Sequence, residues 1–262
     1  MKYQGSKSRI AKYIVPIIQE CIDDNGITEY IEPFCGGANV IDKVACVMRG
    51  GQDANKYLIA LLNYVTQGGE LLQEVPRELY NKVRAAYKSN SGAYDDWYIG
   101  NVGLLASYNG KGFEGGFAKA GYEKTKSGLR YRDYYQEAKR NLEKQSSDLA
   151  GIKFICCDYR QTKVGHNTMI YCDPPYADTT SYKTAKEFDY NEFWQTIREW
   201  SANNFVLVSE QVAPPDFISI WEQSTLRSLN PTGKSMVTEK LFAYKDGLYM
   251  KYKGVNHDSL QR

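Results

Sequence analysis

The sequence predicts an α/β fold with a mainly parallel sheet, interrupted by an inserted, mainly helical lobe over residues 75–148. Three observations carry that expectation. Short, bounded apolar runs of strand length alternate with stretches of helical periodicity through the first 70 residues. The alternation stops across 75–148 and resumes from residue 152. At 262 residues, 42% of them apolar, the chain is long enough for one sizeable core plus a smaller lobe. The two flanking segments, 1–74 and 149–262, then form a single domain around the insertion.

Each element follows from local pattern. Residues 8–24 place Ile10, Tyr13, Ile14, Ile17, Ile18, Cys21 and Ile22 at helical spacing, and Asn25-Gly26 is a natural stop. The short apolar run EYIEPF (29–34) reads as a strand that enters the turn CGGAN (35–39), followed by a helix over 40–50. Gln52-Asp53 closes a second short strand, and 55–65 is a strongly apolar helix ending before Gly68-Gly69. Within the insertion, helical pieces surround a glycine-rich basic loop at 111–132, and 132–145 is a further helix. Strands are expected at 152–158, 167–173 and 204–210, with a helix at 191–202 between the last two. Residues 239–252 read as a terminal hairpin turning at Asp246-Gly247.

Composition narrows the function. Aromatics make up 13% of the chain, which argues against a disordered protein. Mean hydropathy is −0.54, no apolar run approaches the ~18 residues of a spanning helix, and the first residues lack the pattern of a signal peptide. A soluble, cytoplasmic protein with no membrane partner is expected. The six cysteines (21, 35, 46, 156, 157, 172) form no C-x-x-C pair, and with only His166 and His257 no bound metal is expected. The net charge of +2 conceals an asymmetry. Between Arg77 and Arg140 twelve Lys/Arg face seven Asp/Glu, a surplus of five, so the rest of the chain carries −3. Within that stretch 111–132 interleaves its cations with Phe113, Phe117, Tyr122 and Tyr131, a composition able to reach phosphates and touch bases. A solvated loop beside a few core rings fits the same composition.

Two constellations carry chemistry. In the first, glycines at a strand-to-helix turn, EPFCGGAN, let backbone approach a ligand closely. Their spacing is not that of the dinucleotide-binding fingerprint, so NAD is not indicated. Asp53, closing the next strand, is suited to accept hydrogen bonds from a ribose, or to cap the helix that follows. In the second, IYCDPPY (170–176), Asp173 ends a strand ahead of two prolines that fix their own φ and donate nothing. The Asp173 carboxylate and the carbonyls of Asp173 and Pro174 suit a substrate presenting an amino group, and Tyr176 adds a flat face.

These motifs carry a resemblance. DPPY after an apolar strand, EPFCGG upstream and YQGSK at residues 3–7 resemble the amino-methyltransferases of DNA, and more narrowly the Dam-type, class D12, adenine-specific DNA methyltransferases. The order of YQGSK, EPFCGGAN, Asp53-Ala54-Asn55, the insertion, Cys157-Asp158-Tyr159 and DPPY supports the narrower match, which covers most of the chain outside 75–148. The resemblance implies S-adenosylmethionine (SAM) as cofactor, on a Rossmann-like sheet. It implies that Tyr3 and Lys7 close over SAM, that Phe34, Cys35, Gly36 and Gly37 lie beside its methionine part, and that Asp53 binds its ribose. Asp158 and Tyr159 would sit near its adenine, and Asp173 would serve both cofactor and target pockets. Asp173, Pro174, Pro175 and Tyr176 form the catalytic motif, and the insertion is the target-recognition lobe. Ala38 departs from the family, whose members often carry a third glycine there; altered packing without lost activity is expected.

The implied partner is double-stranded DNA, with no obligate protein subunit, in the cytoplasm of a bacterium or a phage-infected host. Lys111, Lys119, Lys124, Lys126, Arg130 and Arg132 are the expected DNA contacts. The exocyclic amine of adenine is a poor nucleophile because its lone pair is delocalised. Hydrogen bonds from its two protons to Asp173 and the Pro174 carbonyl would localise that pair and align it for direct methyl transfer. The base must leave the duplex to be reached and would stack on Tyr176. The same motif also suits the amine of cytosine or an adenine in RNA, and a catalytically silent DNA-binding protein on this fold is the alternative of another class.

Overall fold

The computed structural model describes residues 1–125, 128–176, 188–230 and 233–254, and for 225–230 and 233–235 the backbone alone. The chain divides into two compact units. The first holds residues 1–15, 35–44 and 49–159, and the second holds 16–34, 45–48 and the chain from 160 onward. Helix α1 (Ala11–Asp24) begins in one and continues into the other.

In the first unit, strands β2 (Met48–Asp53) and β5 (Lys153–Cys156) pair in parallel, with Asp53 opposite Cys156. Helix α2 (Lys56–Thr66) starts at Asn55, whose side-chain oxygen accepts from the amides of Tyr57 and Leu58 at 3.2 and 3.3 Å, an N-cap worth about 1 kcal/mol. It buries Leu58, Ile59, Leu61, Leu62 and Val65 along one stripe, and Asn63 Nδ2 donates to the Phe154 carbonyl at 3.1 Å. Helices α3 (Arg77–Lys88) and α4 (Asp96–Gly100) follow, the latter running into a wholly buried π turn over Asn101–Leu105. Strands β3 (Gly121–Thr125) and β4 (Gly128–Arg132) form an antiparallel pair. Helix α5 (Tyr134–Gln145), capped by Asp133 on the Gln136 amide at 3.0 Å, buries Tyr135, Ala138 and Leu142.

In the second unit, β1 (Glu29–Glu32), β6 (Met169–Cys172) and β7 (Phe205–Glu210) run parallel. Strand β9 (Gly233–Tyr244) pairs antiparallel with both β7 and β8 (Phe217–Asn230). Every residue of β6 and β7 is buried, as in strands covered on both faces. Helices α6 (Tyr190–Ser201) and α7 (Leu248–Tyr252) complete the unit. The strands are thus mostly parallel and the class is mixed α/β. No described helix is long and apolar enough to cross a membrane.

Three expectations need correction. The helix over 40–50 is absent: a single 3-10 turn (Ile41–Lys43) leads into β2. Val40, Ile41, Val44 and Val47 are β-branched, and the Arg49 guanidinium takes the carbonyls of Ile41 and Val44 together with those of Asp148 and Ala150. Carbonyls satisfied by a side chain have no need of a helical partner. The terminal hairpin is also absent. β9 finds its partners in β8 and β7, while 248–252 winds into α7 and buries the adjacent pair Tyr249 and Met250. The glycine-rich loop, finally, ends in the β3–β4 hairpin. Its exposed Tyr122–Tyr131 cross-strand pair sits at 5.3 Å between ring centroids.

Candidate active site

In the first unit the glycine turn leaves no freedom to its backbone. The Cys35 amide donates to the Gln52 carbonyl and the Ala38 amide to the Cys35 carbonyl, both at 2.8 Å. Gly36 has φ +47 and Ala38 φ +55, both left-handed. For Ala38, fully buried, that conformation costs roughly 1–2 kcal/mol. Side chains from elsewhere hold the turn. Asp53 Oδ2 accepts from the Gly36 amide at 3.2 Å while Asp53 Oδ1 accepts from the Asn55 amide at 2.8 Å. Gln145 Nε2 donates to the Ala38 carbonyl at 2.9 Å and to Asp42 Oδ2 at 2.8 Å, with the Gly37 carbonyl at 3.3 Å. Tyr3 lies directly on the turn: a Cβ at Gly37 would fall 2.9 Å from Tyr3 Cβ, and one at Gly36 3.2 Å from its ring.

Asp53 is half-buried at the end of β2. Burial pushes its carboxyl up to about 6, against the two amides that favour the charged form. Each oxygen keeps a second lone pair for a ligand hydroxyl. The Cys157 amide donates to the Asp53 carbonyl at 3.2 Å, so Asp158 and Tyr159 leave β5 at the edge where Asp53 leaves β2. Asp158 is half-buried and Tyr159 buried. Lys7 is buried, with its ammonium 3.3 Å from the Gly5 carbonyl. The cap role of Asp53 resolves in favour of Asn55: the carboxylate receives the cap residue's amide and the cap itself is Asn55. No α-helix follows the turn, and the Gly36 amide points to Asp53.

In the second unit β6 delivers Asp173 from a fully buried strand. Asp173 and Pro175 are half-buried and Pro174 is buried. Tyr176 is only 7% exposed and its hydroxyl donates to Glu239 Oε2 on β9 at 2.6 Å. Tyr190, opening α6, donates to the Pro175 carbonyl at 2.6 Å. Burial first, then the charge of Asp173, holds the Tyr171 hydroxyl and the Cys172 thiol protonated well above their ordinary range. Cys172 is therefore no nucleophile. Phe34 is half-buried, edge-on to Phe193 at 5.8 Å and to Phe188 at 6.0 Å.

A family model for the D12 class of N6 adenine-specific DNA methyltransferases matches residues 3–207, spanning the glycine turn, Asp53 and DPPY. The chain belongs to that family. It is a SAM-dependent DNA methyltransferase of an adenine-specific class. The type II methyltransferase M.MjaIII of Methanocaldococcus jannaschii is 23% identical over an alignment covering 95% of this chain and 96% of that protein. Among solved structures, SMU.472, a methyltransferase candidate complexed with SAH, aligns at 12% identity and a TM-score of 0.40 over 93% of this chain. The alignment covers 54% of that protein, so the chain spans about half its length. The methylase candidate HI0767 of Haemophilus influenzae aligns at 9% identity and a TM-score of 0.32, covering 90% of this chain and 86% of that one.

In this D12 methyltransferase the basic hairpin divides its residues by face. Tyr122 and Lys124 on β3 share one side with Tyr131 and Leu129 on β4, and Tyr122 and Leu129 are each 74% exposed. Arg130 falls on the other side, opposite Glu123, and is exposed. Lys119 and Lys124 are exposed, Lys111 is half-buried, and Lys126 lies outside the described residues. Arg132 is committed elsewhere: its guanidinium grips Glu137 on α5 through Nε at 2.7 Å and Nη2 at 3.0 Å, and lies over the Tyr134 ring. Sequence reasoning missed Gln145, Glu239 and Tyr190. Glu239 and Tyr190 lie 63 and 15 residues from the motif residues they hold, and Gln145 lies 107 from Ala38; no local pattern marks any of them.

Proposed function

We propose that this methyltransferase transfers the methyl group of SAM to the N6 amine of an adenine flipped out of duplex DNA. The observation that carries the reading is Asp173, delivered by a buried strand into a loop stiffened by Pro174 and Pro175 in a chain of the D12 family. The residues present suit SAM: Asp53 offers two carboxylate oxygens for vicinal ribose hydroxyls, and Gly36 and Gly37 keep the turn low enough for a close approach. Bound SAM supplies a methyl group carried on a positively charged sulfur.

The remaining work belongs to the chain. Asp53 anchors the ribose, and the glycine turn with Phe34 flanks the methionine part. Asp158 and Tyr159 border the adenine of SAM, and Tyr3 with Lys7 covers it. Asp173 and the Pro174 carbonyl accept the two N6 protons, which localises the nitrogen lone pair. Asp173 is then placed to take the proton that nitrogen sheds on gaining its methyl. Proline at 174 and 175 keeps amide donors away from these acceptors. Tyr176 borders the flipped base, its ring held by Glu239. The hairpin presents Tyr122, Tyr131 and Lys124 to double-stranded DNA, whose major groove admits a two-stranded ribbon.

Asp173→Ala tests it. Transfer is expected to fall by at least about 1000-fold, the scale of a lost electrostatic partner at a reacting centre, while duplex affinity changes little. Transfer near the parent rate would overturn the assignment.

A further inference from the structure

Gln145 sits on the last turn of α5 and is buried at 7% exposure. Its amide protons serve carbonyls of the glycine turn and the Asp42 carboxylate, and its Oε1 accepts from the Met1 nitrogen. The residue it holds most closely in that turn, Ala38, is one of four described non-glycine residues with positive φ, and the only one of them that is not Asn. Asn visits that region readily because its side chain bonds locally; Ala has no such help. The strained residue is therefore stabilised from outside, at its carbonyl, by a side chain 107 positions away. From the opposite side Asp53 takes the Gly36 amide. The turn is gripped at a carbonyl by Gln145 and at an amide by Asp53.

We propose that Gln145 is a positioning residue for SAM binding: it holds Ala38 left-handed and so keeps the glycine turn in the shape that receives the cofactor. The proposal rests on the reading of this turn as the SAM site. In this role Gln145 acts only through the turn. The same helix grips the hairpin at its other end through Glu137 and Arg132, which makes α5 a rigid mount for the side chain. A preformed turn lowers the ordering that binding must impose, so losing the grip weakens affinity without altering chemistry once the site is filled.

The test uses the full chain as Gln145→Ala, Ala38→Gly and the two combined, with SAM dissociation constants by calorimetry and KM and kcat on duplex DNA. Gln145→Ala is expected to raise both the Kd and the KM for SAM about 5- to 10-fold, with kcat at saturating SAM within about twofold of the parent. Ala38→Gly removes the cost of the left-handed backbone. In the Gln145→Ala background it is expected to bring the Kd back to within about threefold of the parent, a rescue that general loss of stability would not show. Gln145→Glu keeps the shape but loses the donors, and is expected to show the same rise of about 5- to 10-fold, which keeps the test in place if the alanine variant fails to fold. A Kd and KM unchanged in Gln145→Ala or Gln145→Glu would overturn the proposal, as would a double variant no better than Gln145→Ala. Asp53→Ala measured in parallel separates the two levels. Weakened SAM binding there with none in the Gln145 variants sinks the positioning role alone. Unchanged binding in Asp53→Ala, or no SAM binding by the parent, sinks the reading of the turn and the proposal with it.

Discussion

The glycine turn and the Asp173 loop reach rigidity by opposite routes. The Asp173 loop is stiff by its own sequence: Pro174 and Pro175 lock φ, and the hydroxyls of Tyr190 and Tyr176 add ties to the Pro175 carbonyl and to Glu239. The glycine turn has no such stiffening. It contains two left-handed residues and is fixed by Asp53, 17 positions from Gly36, and by Gln145, 107 positions from Ala38. On the proposed reading the Asp173 loop hands acceptors to a reacting amine, and its prolines fix them without donors that would compete. On the same reading the glycine turn receives the cofactor, and the order lost to glycine there is restored from outside.

If the Asp173 loop serves the chemical step and the glycine turn serves binding, substitutions in the two should separate in kinetics. The loss expected for Asp173→Ala is the larger and falls on rate. Next comes Asp53→Ala, where two charge-assisted hydrogen bonds to ribose are lost. The affinity for SAM should fall about 10- to 100-fold, with DNA affinity unchanged. The same carboxyl predicts a pH dependence. Burial raises it from 3.8 to about 6, so the native state favours the protonated form. Its stabilising contribution is full below 3.8 and is lost as pH rises through about 6. Binding runs the other way, because a ribose needs the charged acceptor. Calorimetry should show SAM affinity constant above about pH 7 and weakening by up to about tenfold per unit below about 6. A flat profile from pH 5 to 8 would detach Asp53 from the ribose.

The smallest effects belong to the hairpin. Alanine at Lys124 and Arg130 should weaken binding to all duplexes alike by about 3- to 10-fold, and should flatten the salt slope by about one for each phosphate no longer neutralised. An unchanged salt slope would leave the lobe without its role. Arg132 is expected to behave differently, because its guanidinium is spent on Glu137.

The same contrast explains what the sequence disclosed. Strands β1, β6 and β7 announced themselves as bounded apolar runs, with Asp173 and the prolines following β6, whereas β2 (MRGGQD) is not apolar and showed only its Gln52-Asp53 end. The segment after the glycine turn misled because its apolar spacing suits a helix, while the Arg49 guanidinium collects the carbonyls that a helix would have used. The end of the chain misled for a similar reason. Asp246-Gly247 is good turn chemistry, but β8 and β7 were the better partners for β9. The charge of Arg132 suggested DNA; its neighbour Glu137, five residues on, was visible but its geometry was not. Gln145 had no signal at all, since a glutamine late in an amphipathic helix is ordinary until its amide is seen on the Ala38 carbonyl.

The central claim is tested most directly by supplying methyl-labelled SAM and unmethylated duplex DNA to the protein and analysing the nucleosides released. The account predicts label in N6-methyladenine, at a defined sequence once mapped. Label in N4-methylcytosine, or none in DNA despite measurable SAM binding, would contradict it.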